Sequence, residues 1–107
     1  KPIREWLYVE DGAQSLIKSI NIPDGHHLFN VGVEKGISIK DLAEIIKLEV
    51  GWDGEFNYDQ SKPDGVLEKK VDGTKGKEIL EWEVSTELRM GIRNTVDWYN
   101  KNYEQYG

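Results

Sequence analysis

The stretch REWLYVEDGAQSLIKSI, residues 4–20, changes its hydrophobic period part-way along, and that change decides the fold class. Residues 4–9 carry aromatic and β-branched side chains over the length of one strand, and predict a strand. Beyond Glu10 the pattern turns helical. Ala13, Leu16, Ile17 and Ile20 recur at spacings of three, one and three, which gathers them on one face of a helix over residues 10–21. Glu10 and Asp11 put negative charge where the positive end of that helix favours it, and Pro23-Asp24-Gly25 ends the element.

The same alternation runs on in both character and order. HLFNV, residues 27–31, reads as a second short strand, and Gly32 and Gly36 bracket a loop. Ser38 with Asp41 three residues on forms a capping box. The helix it opens has Ile39, Leu42, Ile45, Ile46 and Val50 on one face and Gly51 in the place of a left-handed C-cap. EFNYD, residues 55–59, alternates as a strand does. SKPDG, residues 61–65, reads as a reversal, with Pro63 setting φ at the second turn position, Asp64 third and Gly65 closing. An extended piece around 69–72 and a brief helix at 74–81 follow. Ser85 is expected to open the last helix, whose face is Leu88, Ile92, Val96, Tyr99 and Tyr103, with Gly91 tolerated inside it at a cost of about 1 kcal/mol against alanine. With no repeat or linker to divide it, the chain is expected to form one small mixed α/β lobe over residues 1–107.

Composition removes several classes of function. The chain has 107 residues, 37% apolar and 32% charged, and no apolar run approaches the ~20 residues needed to span a bilayer. A net charge of −6 argues against general nucleic-acid binding, which needs a surplus of lysine and arginine, so any bound anion must be held locally. The absence of cysteine excludes disulfides and thiolate chemistry and suits a cytoplasmic protein. The chain opens Lys1-Pro2-Ile3, holds Met90 as its sole methionine and lacks the layout of a signal peptide, so it reads as part of a longer protein.

Little catalytic machinery is visible. No glycine-rich dinucleotide loop follows a strand, no phosphate-loop lysine motif occurs, and no helical Tyr-x-x-x-Lys pair stands ready for proton transfer. His26 and His27 are neighbours and point to opposite sides of an extended chain, so no metal site is expected from them. Three cations are of interest: Arg4, Lys62 and Lys69. Together they would suit a diphosphate, arginine supplying a planar fork and lysine a mobile point charge; separately they are ordinary solvated cations pairing loosely with nearby acids. Trp6, Trp52, Trp82 and Trp98 read as core or edge packing.

The order of the segments REWLYVEDGA, FNVGVEKGISIKDLAEII, VGWDGEFNYDQSKPDG, KKVD and EILEW followed by STELRMGIRNTVDWY resembles the C-terminal part of the NAD(P)-dependent nucleotide-sugar epimerase/dehydratase family, the extended short-chain dehydrogenases. The likeness runs over essentially the whole chain. FNYDQSKPDG with a lysine four residues after Gly65 is most similar to the branch that converts GDP-4-keto-6-deoxymannose by epimerisation and NADPH-dependent reduction. The resemblance implies that Arg4 contacts the diphosphate of a GDP-sugar and that Lys69 matches the substrate-binding lysine. It also implies that Asp11, Asn30, Gly32 and Asp72 fall on family positions; of these we read Asp11 and Asp72 as helix-start or turn acceptors and Gly32 as a conformational need. It implies further that NADP(H) or NAD(H) and the catalytic groups belong to an N-terminal Rossmann domain, this chain being the substrate lobe and inactive alone. The intact enzyme is then expected to be a homodimer, and the lobe by itself prone to self-association. One departure stands out. The branch reads D-G-T-P-R-K where this chain reads D-G-V-L-E-K, which puts Leu67 and the acidic Glu68 near the expected diphosphate.

Overall fold

The computed structural model describes residues 2–63 and 65–106, with the Tyr106 side chain excepted. Its elements run β1 Ile3–Arg4, α1 Val9–Lys18, β2 Ile37–Ser38, α2 Ile39–Val50, β3 Glu68–Lys69, α3 Thr74–Leu80 and α4 Leu88–Tyr106, with a 3-10 turn, Ser19–Asn21, extending α1. The three strands form one mixed sheet in the order β2-β1-β3. β1 pairs antiparallel with β2, Ile3 opposite Ser38 and Arg4 opposite Ile37. It pairs parallel with β3, Ile3 beside Glu68 and Arg4 beside Lys69. The result is the small mixed α/β lobe expected from the alternating pattern.

The helices begin and end for reasons largely visible in the sequence. Ser38 closes β2 and caps α2, its hydroxyl accepting the Asp41 N–H at 3.1 Å. Gly51 ends that helix at φ 78°, a left-handed conformation that costs glycine nothing. Asp72 accepts the Thr74 N–H at 3.0 Å and the Thr74 hydroxyl at 2.7 Å, the turn acceptor expected of it at the start of α3. These two bonds hold its carboxyl below the usual range.

The strands differ more. Of residues 4–9 only Arg4 lies in the sheet, because Glu5 spends its side chain on other segments and the helix has begun by Val9. Residues 27–31 join no sheet among the described residues. Their backbone packs on α3 instead, and the Asn30 carbonyl fills the space where a Cβ on Gly76 would stand. Residues 55–59 are irregular too. There the Phe56 ring lies 5.3 Å from that of Trp52 and 6.0 Å from that of Tyr58, tilted aromatic contacts in place of a ladder. A turn forms at Asp59–Lys62, where the Asp59 carboxylate accepts the Ser61 N–H at 3.0 Å. Asp64 of that motif lies outside the described residues, and Gly65 has φ 74°.

Ser85 does not open α4, which starts at Leu88. Its hydroxyl donates to Asp11 at 2.8 Å, and Asp11 also accepts the Thr86 N–H at 3.1 Å. Asp11, in the first turn of α1, is thereby buried at 3% exposure and ties α1 to the approach to α4. α4 packs on α2, with an Arg93–Glu49 ion pair at 3.0 Å between them. Gly91 has a packing reason: a Cβ there would lie 3.2 Å from the Tyr8 Cβ. The buried apolar core is thin, Leu42, Leu80 and Trp82. Trp6, Trp52 and Trp98 lie at the surface, edge rather than core.

Candidate functional site

The parallel pairing of β1 with β3 brings together residues 65 positions apart in the chain. Arg4 and Lys69 are register partners, so their side chains leave the same face of the sheet. A cleft of about 260 Å³ opens there, lined by Arg4, Glu5, Lys69 and Lys70 together with Leu7, Val31, Gly32 and Val71. Of the three candidate cations, Arg4 and Lys69 line this cleft. Lys62 is not among the lining residues; it sits in the Asp59–Lys62 turn, and Lys70 takes the third cationic place.

Two like charges side by side on a sheet repel unless something offsets them. The carboxylate nearest to hand, Glu5, is otherwise engaged. Its Oε1 accepts the N–H groups of Val33 at 2.7 Å and Glu34 at 3.0 Å, and its Oε2 accepts that of Val71 at 2.5 Å. Arg4 turns one guanidinium nitrogen, Nη1, to the Ile3 carbonyl at 2.8 Å. The cleft therefore keeps positive charge beside apolar walls, Leu7, Val31 and Val71, in a chain that is acidic overall. Such a surface accepts a flat or apolar group with an anionic end.

Glu68 is not among the lining residues, but it pairs with Lys70 at 3.4 Å, so one of the cleft's three cations already has an acidic partner and Arg4 and Lys69 carry its open charge. Gly32 has a different reason from the one expected. Its φ is not in the left-handed region; a Cβ would meet Glu5 Oε1 and Val71 Cγ2, each at 2.5 Å, so the requirement is space.

Glu34 continues the carboxylate stitching. Held at φ 61°, it accepts the Gly73 N–H at 2.8 Å and pairs with Lys77 at 3.1 Å, fixing the start of α3. Asn30 contributes a longer contact, its side-chain amide 3.5 Å from the Asp72 carbonyl. Sequence reasoning passed over Glu5, Glu34 and Lys70, since a charged residue in a short strand or loop looks like solvated surface until its partners are known. His27 turns Nε2 to the Pro23 carbonyl at 2.7 Å, and among the described residues no group of three or more metal-ligating side chains converges. No helix among the described residues is long and apolar enough to cross a membrane.

The fold is that of the C-terminal part of the NAD-dependent nucleotide-sugar epimerases and dehydratases. It superposes on a UDP-glucose 4-epimerase from Thermotoga maritima, solved with UDP-glucose, at TM-score 0.85 and 28% identity over 95% of this chain and 33% of that one. In sequence the chain matches the C-terminal region of GDP-L-fucose synthases. It is 37% identical over 101 residues to GDP-L-fucose synthase 1 of Arabidopsis thaliana, covering 94% of this chain and 31% of that protein. A GDP-L-fucose synthetase from Naegleria fowleri, solved with NADP, superposes at TM-score 0.89 and 29% identity over 98% of this chain and 33% of that one. The chain thus spans about a third of the length of these relatives. No family model matches it.

Proposed function

We propose that this chain is the substrate-binding lobe of an NADPH-dependent GDP-4-keto-6-deoxymannose 3,5-epimerase-4-reductase, with Arg4 and Lys69 gripping the diphosphate of the GDP-sugar. The observation that carries the reading is the register pairing of Arg4 with Lys69 over a cleft in which the lining carboxylate, Glu5, is already satisfied by backbone N–H groups. Arginine offers the bidentate fork that matches a phosphate, and lysine an adjustable charge beside it. The Naegleria relative and the Arabidopsis relative support the GDP-sugar branch.

Nicotinamide chemistry, a hydride delivered to or taken from a sugar carbon, comes from elsewhere in the intact protein, on this reading. The turn from β1 into α1 has no glycine before the helix, and its first turn carries Glu10 and the buried Asp11, which would repel a pyrophosphate. What these residues contribute is binding and orientation: the cations fix the diphosphate, and Leu7, Val31 and Val71 exclude water from the apolar face of the bound group. The lobe alone is therefore inactive, and its partners are the sugar nucleotide and a Rossmann domain of the same protein, in a homodimeric cytoplasmic enzyme. The likeness to the Thermotoga UDP-glucose epimerase keeps a related nucleotide-sugar epimerase as the second reading.

Calorimetric titration of the intact protein with GDP, UDP and dTDP separates the two. Preference for GDP, with Arg4→Ala and Lys69→Ala each weakening it by about 1–3 kcal/mol, is the expected result. Preference for UDP or dTDP selects the second reading. Affinity unchanged in both variants would make the chain a non-catalytic module that keeps only the lobe's fold.

A further inference from the structure

Among the described residues Glu5 is the one acid that lines the cationic cleft, yet its carboxylate is bonded to backbone N–H groups and not to Arg4, Lys69 or Lys70. Its two oxygens are divided between segments far apart in sequence. Oε1 takes the N–H groups of Val33 and Glu34, 28 and 29 positions away, and Oε2 that of Val71, 66 positions away. Val71 follows Lys69 by two residues, immediately after β3, so the bond to Glu5 fixes where that strand leaves the sheet. The Gly32 backbone is pressed against the same carboxylate, leaving no room for a Cβ. Two strand residues alone make a weak ladder, and β3 has only Glu68 and Lys69. Without the Glu5 bond its position rests on that ladder and the Ile3 N–H to Leu67 carbonyl bond of 2.7 Å.

We infer that Glu5 is a positioning residue for the anion site: it holds the β3 exit against β1 so that Lys69 stands beside Arg4, and it does so with a carboxylate consumed by backbone N–H groups rather than by the cations. The second half matters as much as the first. A carboxylate with free oxygens at this place would pair directly with Arg4 or Lys69 and compete with the ligand; one whose oxygens accept three N–H groups keeps its charge but has its bonding positions taken up by the backbone dipoles. This inference rests on the anion reading of the cleft given above.

The test is a double-substitution cycle in the intact protein, with GDP as probe and calorimetry as readout. Glu5→Gln keeps the shape but offers one acceptor oxygen in place of two, so either Val71 or the Val33 and Glu34 pair loses its partner. The expected loss of GDP affinity is about tenfold in the otherwise unaltered protein. In a Lys69→Ala background the same substitution is expected to cost less than about twofold, because the group it positions is gone. A full, independent loss in that background, or no loss in the unaltered protein, overturns the inference and leaves Glu5 a structural residue. If Lys69→Ala alone leaves GDP affinity intact, the anion reading falls and the inference with it. If Glu5→Gln fails to fold, Glu5→Asp, which keeps the charge but is too short to serve both sides, is read through the same cycle by the same criteria.

Discussion

The Ser85 hydroxyl donates to the Asp11 carboxylate at 2.8 Å across 74 positions of sequence, and Thr86 adds its N–H at 3.1 Å to the other oxygen. This joint fixes the segment leading into α4 to the first turn of α1. Asp11→Ala would leave these donors without an acceptor at a site only 3% exposed. A loss of about 2–3 kcal/mol is expected in urea denaturation, with Ser85→Ala losing less, since Thr86 keeps the carboxylate engaged.

Two glycines are expected to respond differently to alanine. At Gly76 the Asn30 carbonyl occupies the Cβ position and the Phe29 ring lies 3.1 Å from it, so Gly76→Ala must push α3 off the 29–30 segment. A cost of about 2–3 kcal/mol follows from forcing atoms into packed backbone. At Gly51 nothing lies near, and only the φ of 78° resists, so Gly51→Ala is expected to cost about 1–2 kcal/mol. Thermal melts of the two variants would order them.

Lys69→Ala should separate stability from binding. Removing one of two like charges paired across β1 and β3 relieves repulsion, and the nucleotide-free protein is expected to gain roughly 0.2–1 kcal/mol. The same substitution is expected to weaken GDP binding. Equal losses in both would place Lys69 in ordinary packing.

Glu49 has its carboxyl held below the usual range, first by the hydrogen bond from Arg93 and then by the nearby charges of Arg93 and Arg89. A carboxyl whose folded value is depressed contributes stability that is present above its unfolded value and lost as pH falls through the folded one. Melting temperature is therefore expected to fall as the solution is acidified below the ordinary carboxylate range. Glu49→Gln should shallow that fall, and high salt should shrink the difference, since the Arg93 side of the pair is exposed to solvent.

α1 shows its apolar side to water, with Leu16 72% and Ile20 79% exposed. Purified by itself, the chain is expected to self-associate in sedimentation velocity, as exposed apolar patches do. Leu16→Glu with Ile20→Lys should restore a monomer. A monomer without these changes would show that the stripe is tolerated in water.

Helices were legible because their signals are local. Ser38, Gly51 and the spacing of Ile39, Leu42, Ile45 and Ile46 act within one or two turns, and α2 forms where they place it. Strands of two residues carry no periodicity to read, which is why β2 went unseen and residues 27–31 and 55–59 looked more regular than they are. A resemblance spread over the chain marked Arg4 and Lys69, and residue type explains why they suit an anion. Neither residue type nor spacing could bring them together.

By itself, then, the sequence determined where the helices lie and the mixed α/β class, since their signals are written in contiguous residues. The tertiary structure alone decided that Arg4 meets Lys69, that Lys70 rather than Lys62 lines the cleft with them, that Glu68 pairs with Lys70, and that Glu5 is satisfied by Val33, Glu34 and Val71. Strand register and backbone donors set these relations, and both arise from pairing between distant segments, where a shift of one residue would turn every side chain to the other face.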